Sequence, residues 1–179
     1  MSPFDAEDVV LRESRRTLLA RRLILHGVRT HIITRLTGLT RNRLATLRRR
    51  LMIRDKTRRR GPPRDALTVF LSTSLARAEA AAIAALLWVF EIPIEAKTPS
   101  IPKIVSFPFV ERLCETYESY CACYPRTEVQ LEEIISLCRR LARGDRIRLG
   151  KCRGCQCLLL VDRYDGSLEC LHCGADLRE

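Results

Sequence analysis

Four cysteines near the C-terminus carry the clearest chemistry in the chain. Cys152 and Cys155 form one C-x2-C pair and Cys170 and Cys173 a second, with fourteen residues between the pairs. Each pair can turn tightly enough for both sulfurs to face one ion, and Zn2+ takes four thiolates tetrahedrally at about 2.3 Å. All four positions are thiols, which leaves no vertex for water. The pattern therefore predicts a structural Zn2+ site, one ion per chain, and not a catalytic one. A redox C-x2-C normally sits beside a βαβ unit, and no such unit can be read here. Cys157 is a spare thiol close to the first pair, and His172 lies between two of the predicted ligands.

The segments around these cysteines must position them. Ile147 to Leu149 reads as a short strand leading into the site, and Cys157 to Asp162 is apolar and β-prone. Asp165-Gly166 is a hairpin turn signal, which makes Ser167 to Cys170 the return strand. Gly154 and Gly174 fall where a tight knuckle needs unusual backbone angles. Of the other cysteines, Cys114, Cys121, Cys123 and Cys138 read mostly as small apolar core residues.

Charge divides the chain. Residues 1–65 hold 18 Lys and Arg against 6 Asp and Glu, a net of +12, while residues 66–179 hold 14 against 15, a net of −1. A basic field confined to one third implies a polyanionic partner, nucleic acid foremost. No apolar run is long enough to span a bilayer, so no membrane partner is expected. The first residues, MSPFDAEDVVLRES, are acidic and lack the basic-then-apolar order of a signal peptide, so the expected location is the cytoplasm.

Inside the basic third, Asp8 to Leu25 has the apolar spacing of an amphipathic helix. Thr30 to Leu36 reads as a short helix, Thr37-Gly38 as a stop, and Thr40 as an N-cap. A second helix, Arg41 to Leu51, carries Leu44, Leu47 and Leu51 on one face. This is the outline of a helix-turn-helix, whose second helix enters the major groove. Arg41, Asn42 and Arg43 suit base edges, because Arg pairs with guanine O6/N7 and Asn with adenine N6/N7. Thr46 stands on the same helix, and Arg48, Arg49, Arg50, Lys56, Arg58, Arg59 and Arg60 suit phosphates. Arg54 to Arg64 is a charged linker, and Pro62-Pro63 extends it.

Beyond the linker, Thr73 to Phe90 reads as a long, Ala-rich helix, apolar nearly all round and therefore buried. Pro93 to Pro108 holds four prolines and reads as a loop. Phe109 to Tyr124 and Thr127 to Ala142 are further helices, the latter N-capped by Thr127 and closed by Gly144. The expected fold is thus mainly α. Residues 1–65 form a basic DNA-binding region with its helix-turn-helix at 30–51, residues 66–146 a helical partner-binding core, and residues 147–179 a four-cysteine zinc knuckle.

This order of parts resembles the flagellar transcriptional activator subunit FlhC family. Leu39-Thr40-Arg41-Asn42-Arg43-Leu44 with Leu47 matches the family's L-[ST]-R-x-R-L-x-x-L pattern. Gly61-Pro62-Pro63, the long helix ending at Trp88, Tyr120-x4-Pro125 and the two C-x2-C pairs follow in the family's order. The resemblance implies a hetero-oligomer with an FlhD-type partner. That complex would bind double-stranded promoter DNA of flagellar operons and stimulate RNA polymerase, with one zinc held by Cys152, Cys155, Cys170 and Cys173. Three features depart from the pattern: a shorter loop between the cysteine pairs, a sequence that stops six residues after Cys173 where family members carry a longer, basic tail, and a core helix richer in alanine.

Two other classes fit less well. A zinc-ribbon RNA-binding or ribosome-associated protein could use the same basic third, but no aromatic residue interrupts Arg29 to Arg64 to offer a stacking platform. An enzyme is not expected. His26, His31 and His172 are scattered, and neither a Gly-rich phosphate loop nor a nucleophile elbow occurs.

Overall fold

A computed structural model describes residues 3–53, 64–92, 107–144, 146–164, 169–170 and 172–175. By internal contacts the chain divides into two units, residues 1–62 with 104–114, and residues 63–103 with 115–179.

In the first unit, α1 (Pro3–Leu25) is followed by α2 (Thr30–Thr37) and α3 (Arg41–Arg50), and α1 packs on both. The buried stripe of α1 is Leu19, Ala20, Leu23 and Ile24. Val28, Ile32, Ile33, Leu36, Leu39 and Leu44 are buried as well, where α1 packs on α2 and α3. Removing side chains of this size from water contributes about 1.5–3 kcal/mol each. Val9, Val10, Leu11 and Leu18 of α1 are exposed. The turn between α2 and α3 is built from short-range bonds. Gly38 takes the left-handed conformation at φ 74° and donates its N–H to Thr34 O. Thr37, expected outside the helix, closes its last turn instead. Its hydroxyl donates to Ile33 O and accepts from the Leu39 N–H. Thr40 caps α3 as predicted, accepting the Arg43 N–H.

The first half of α6 (Phe107–Cys123) belongs to this unit, which the sequence did not suggest. Arg15 reaches it with a two-pronged ion pair to Glu111, at 2.8 and 2.5 Å. The guanidinium groups of Arg15 and Arg16 lie 5.9 and 5.8 Å from the Phe107 ring centre, within cation–π range. Pro108 was expected in a loop. It instead occupies the first turn of α6, where its missing N–H would have no partner in any case. The remainder of that expected loop, like the linker core 54–63, lies outside the described residues.

The second unit holds α4 (Ala66–Leu71), α5 (Ser74–Val89), the second half of α6, α7 (Leu131–Arg143), β1 (Ile147–Lys151) and β2 (Leu158–Asp162). The short α4 was not foreseen; it packs against α5 and α7. Thr73 caps α5 through the Ala76 N–H. The expectation of an all-round buried helix is overturned. Ala76, Ala80, Ile83, Ala84 and Leu87 are buried, but Leu75, Trp88 and Val89 stand in solvent, Trp88 at 72% exposure. Helix α7 begins four residues later than expected. The Thr127 hydroxyl accepts the Val129 N–H and helps to bind Glu79, while Glu133 accepts the Gln130 N–H at the true helix start. The buried Glu133 carboxylate also takes Arg64 at 2.7 Å, so it has partners on both sides. Gly144 ends α7 at φ 62°.

The two strands form an antiparallel pair in which Ile147 faces Asp162 and Lys151 faces Leu158. The partner of the Cys157–Asp162 strand is therefore the segment entering the site. Of the expected return strand only Glu169 and Cys170 are described, and the Asp165-Gly166 turn lies outside the described residues. Buried Asp162 is held by Arg146 through contacts of 2.9 to 3.2 Å. β2 packs on α5 and β1 on α7, so the cysteine-bearing hairpin is seated on helices of its own unit.

Candidate metal centre and candidate nucleic-acid interface

The two C-x2-C pairs fold into one local design, used twice. In the first, the Gln156 N–H donates to Cys152 O and the Cys152 N–H to Cys157 O, both at 2.9 Å. In the second, the Gly174 N–H donates to Cys170 O at 2.7 Å and the Cys170 N–H to Ala175 O at 2.8 Å. Position by position, Cys152, Cys155, Gln156 and Cys157 match Cys170, Cys173, Gly174 and Ala175. Each loop needs one left-handed residue at the same place, and these are Gln156 at φ 59° and Gly174 at φ 72°. The sequence expectation was right for Gly174 and wrong for Gly154, whose φ is not positive. Gly154 is needed for another reason: a Cβ there would lie 3.2 Å from Cys173 Sγ and 3.4 Å from Ala175 Cβ.

The loops bring Cys152, Cys155, Cys170 and Cys173 together, with all four sulfurs within 4.8 Å of one another. Cys152 Sγ is 3.5 Å from Cys173 Sγ, and Cys155 Sγ is 3.6 Å from Cys170 Sγ. A tetrahedron with metal–sulfur bonds of about 2.3 Å has edges of about 3.8 Å, so these spacings suit a four-thiolate metal. Cys152 and Cys170 are buried, and the cluster is walled by Leu159 and Val161 of β2. The donor set thus has the convergent sulfurs of a metal site, walled on one side by apolar residues, with Cys155 half-buried and Cys173 exposed.

Backbone N–H groups prepare the sulfurs for charge. The N–H of Cys155 holds the Cys152 thiol below its ordinary range against the effect of burial. Burial pushes Cys170 up, but the N–H groups of Cys173 and His172 outweigh it and bring that thiol down to about 6. Cys155 receives the N–H of Cys157, yet the neighbouring Cys157 thiol and burial push it up to about 11. Cys173 receives the N–H of Ala175, but the Cys152 thiol and burial raise it to about 12. A metal takes the thiolate form, so a bound cation would displace the protons these sulfurs carry. His172 is exposed.

The other predicted contacts lie on α3. Leu44 anchors the helix inward, and the face opposite it presents Asn42, Thr46 and Arg49, with Asn42 and Arg49 exposed. Arg41 and Arg50 are also exposed, to either side. Arg49 donates to Thr46 Oγ1 on its own helix at 3.3 Å, and two further arginines bond to other parts of the unit. Arg43 forms an ion pair with Glu13 of α1, at a cleft also lined by Thr17, Asn42, Thr46 and Arg50. Arg48 is half-buried and donates to Val28 O at 3.0 Å, satisfying a carbonyl of the α1–α2 turn. Neither engagement could be read from sequence, because both partners are supplied by distant parts of the chain. Lys56, Arg58, Arg59 and Arg60 lie outside the described residues. Among the described residues no helix is long and apolar enough to cross a membrane. No protein-family model and no curated protein sequence matches the chain.

Proposed function

We propose that this chain is a DNA-binding subunit of a transcription activator, braced by a structural Zn2+ at Cys152, Cys155, Cys170 and Cys173. The observation that carries the reading is the α2–turn–α3 unit. Its second helix buries Leu44 and turns Asn42, Thr46 and Arg49 outward, within a third of the chain that bears a net of +12. A helix presented in this way fits a major groove. Asn42 and Arg49 offer the donors that read base edges and phosphates, and Arg41 and Arg50 extend the positive rim. The ion pair to Glu13 places Arg43 beside this surface with its charge already balanced, which makes it a weaker candidate for a base contact. The motif order shared with the FlhC family supports the finer reading: promoters of flagellar operons as targets, an FlhD-type subunit as partner, RNA polymerase as the recipient, and the cytoplasm as the place. The exposed Trp88 and Val89 at the end of α5 support a protein partner, since Trp is a frequent anchor of protein interfaces.

The test is a binding titration across salt concentrations. A flagellar promoter duplex, a scrambled duplex and a single-stranded RNA are each titrated with and without the partner subunit. The expected result is tightest binding to the promoter duplex, strengthened by the partner. A steep salt slope common to all three would report phosphate contacts alone. Preference for single-stranded RNA with no effect of the partner would replace this reading with that of a zinc-ribbon RNA-binding protein.

A further inference from the structure

A fifth sulfur borders the metal centre, beside the four that all lie within 4.8 Å of one another. Cys157 Sγ lies 3.1 Å from Cys155 Sγ and 3.5 Å from Cys170 Sγ, while Cys155 and Cys170 are themselves 3.6 Å apart. Three thiols thus crowd one corner of the cluster; the 3.5 and 3.6 Å separations are close to the edge of a thiolate tetrahedron, and the 3.1 Å one is shorter. The repeated loop design explains how Cys157 comes to be there. It holds the position that Ala175 holds in the other loop, and both side chains pack against the buried sulfurs. At Ala175 the position ends in a methyl group. At Cys157 it ends in a metal-binding atom, fixed in place by the backbone bond from the Cys152 N–H to Cys157 O.

We propose that Cys157 is an alternative metal ligand, able to take the vertex of Cys155, so that the ribbon holds its ion by either of two overlapping four-thiolate sets. This rests on the Zn2+ reading given above. The 3.1 Å separation is too short for both sulfurs to sit on separate vertices of one tetrahedron, so the two compete. The second loop has no counterpart, because Ala175 offers no ligand. The site is therefore tolerant on the Cys155 side and intolerant at Cys152, Cys170 and Cys173. A sulfur held beside the bound ion also provides a route for ligand-by-ligand exchange, so the metal should pass to a competing chelator more readily than from a site with four cysteines alone.

Two measurements on the full chain test this. In the first, metal content and the Co2+ thiolate charge-transfer spectrum are compared for the wild type, Cys155→Ala, Cys157→Ala, Cys152→Ala and the double variant Cys155→Ala/Cys157→Ala. Expected are one ion and a four-thiolate spectrum for the wild type, Cys155→Ala and Cys157→Ala, with loss of both in Cys152→Ala and in the double variant. Loss in Cys155→Ala as complete as in the double variant overturns the proposal. The second needs no variant and stands if Cys155→Ala fails to fold. Zinc-loaded wild type is alkylated with N-ethylmaleimide and the modified positions are mapped by mass. Exchange predicts that Cys155 and Cys157 are labelled at comparable rates while Cys152 stays protected. Labelling of Cys157 alone, with Cys155 as protected as Cys152, overturns it. A wild type that binds no metal would instead refute the Zn2+ reading, and the two failures are thereby distinguished.

Discussion

Replacing Gly154 by alanine should damage the metal centre without disturbing the backbone that carries it. The added Cβ would lie 3.2 Å from Cys173 Sγ, which must give way by a few tenths of an ångström, while Ala175 Cβ at 3.4 Å and Cys152 Sγ at 3.7 Å stay at or near ordinary contact. The displaced atom is one of the four candidate metal ligands. Overpacking of this kind costs about 1–3 kcal/mol where the surroundings cannot relax. Here relaxation means shifting a coordinated sulfur, so most of the cost should appear as lost metal affinity. A loss of about 1.4–2.8 kcal/mol is a 10- to 100-fold rise in the dissociation constant. Gly150→Ala supplies the control. Its Cβ would meet Val161 Cγ2 at 3.3 Å, which is equally tight but against a side chain that binds no metal. It should change the dissociation constant by less than about threefold. The assay is competition with a chromophoric zinc chelator, with circular dichroism to confirm that each variant is folded. Wild-type affinity in folded Gly154→Ala, or equal losses in the two variants, would show that the loops can shift without carrying the sulfurs along, and would refute the argument.

The two left-handed positions make an opposite pair. Gly174→Ala should destabilise the ribbon by about 1 kcal/mol through backbone strain alone, because nothing lies within 4 Å of its Cβ, whereas Gln156→Gly should be neutral or stabilising; thermal unfolding of the metal-loaded protein reads both. On α3, Asn42→Ala or Arg49→Ala should weaken promoter binding by about 1–3 kcal/mol with little change in melting temperature. Arg48→Ala should instead lower stability by about 1.5–3 kcal/mol, because it orphans the Val28 carbonyl; a drop in DNA affinity at unchanged stability would contradict that assignment. Trp88→Ala should reduce affinity for the partner subunit by about 2 kcal/mol or more, measured by calorimetry, while leaving the fold within about 0.5 kcal/mol of wild type.

What could be read from sequence was what depends on neighbours along the chain. The four cysteines, the Gly38 and Gly144 helix ends, the Thr40 cap and the Leu44 anchor are all set by residues a few positions apart, and each was legible. The errors share a cause. Thr127 was a chemically sound cap, but Glu133 made a better start four residues on, where Arg64 could also reach its carboxylate. Pro108 signalled a loop only to a reading that did not consider a helix beginning one residue earlier. The alanine-rich α5 looked buried throughout because composition does not record which face has neighbours. The positive φ was assigned to Gly154 by residue type, when the loop geometry assigns it to the residue after the second cysteine, whatever that residue is.

The tasks of Arg43 and Arg48 extend the same point to function. Sequence lists them among a run of equivalent charges, and only the fold separates them. A carboxylate thirty residues away balances Arg43, and a turn carbonyl occupies Arg48. The charge left for a polyanion on α3 is therefore smaller than the count suggests and is confined to the outward row with its two flanks. A similar refinement applies to the metal. A ribbon of this size buries little apolar surface of its own, yet β2 lies on α5 and β1 on α7, and the Arg146–Asp162 pair pins the start of β1 to the end of β2. The free energy of binding the ion is then shared with the helices that the ribbon covers. That unit also presents Trp88, whereas α3 belongs to the other unit, so on the reading proposed above the ion would act on DNA binding only indirectly.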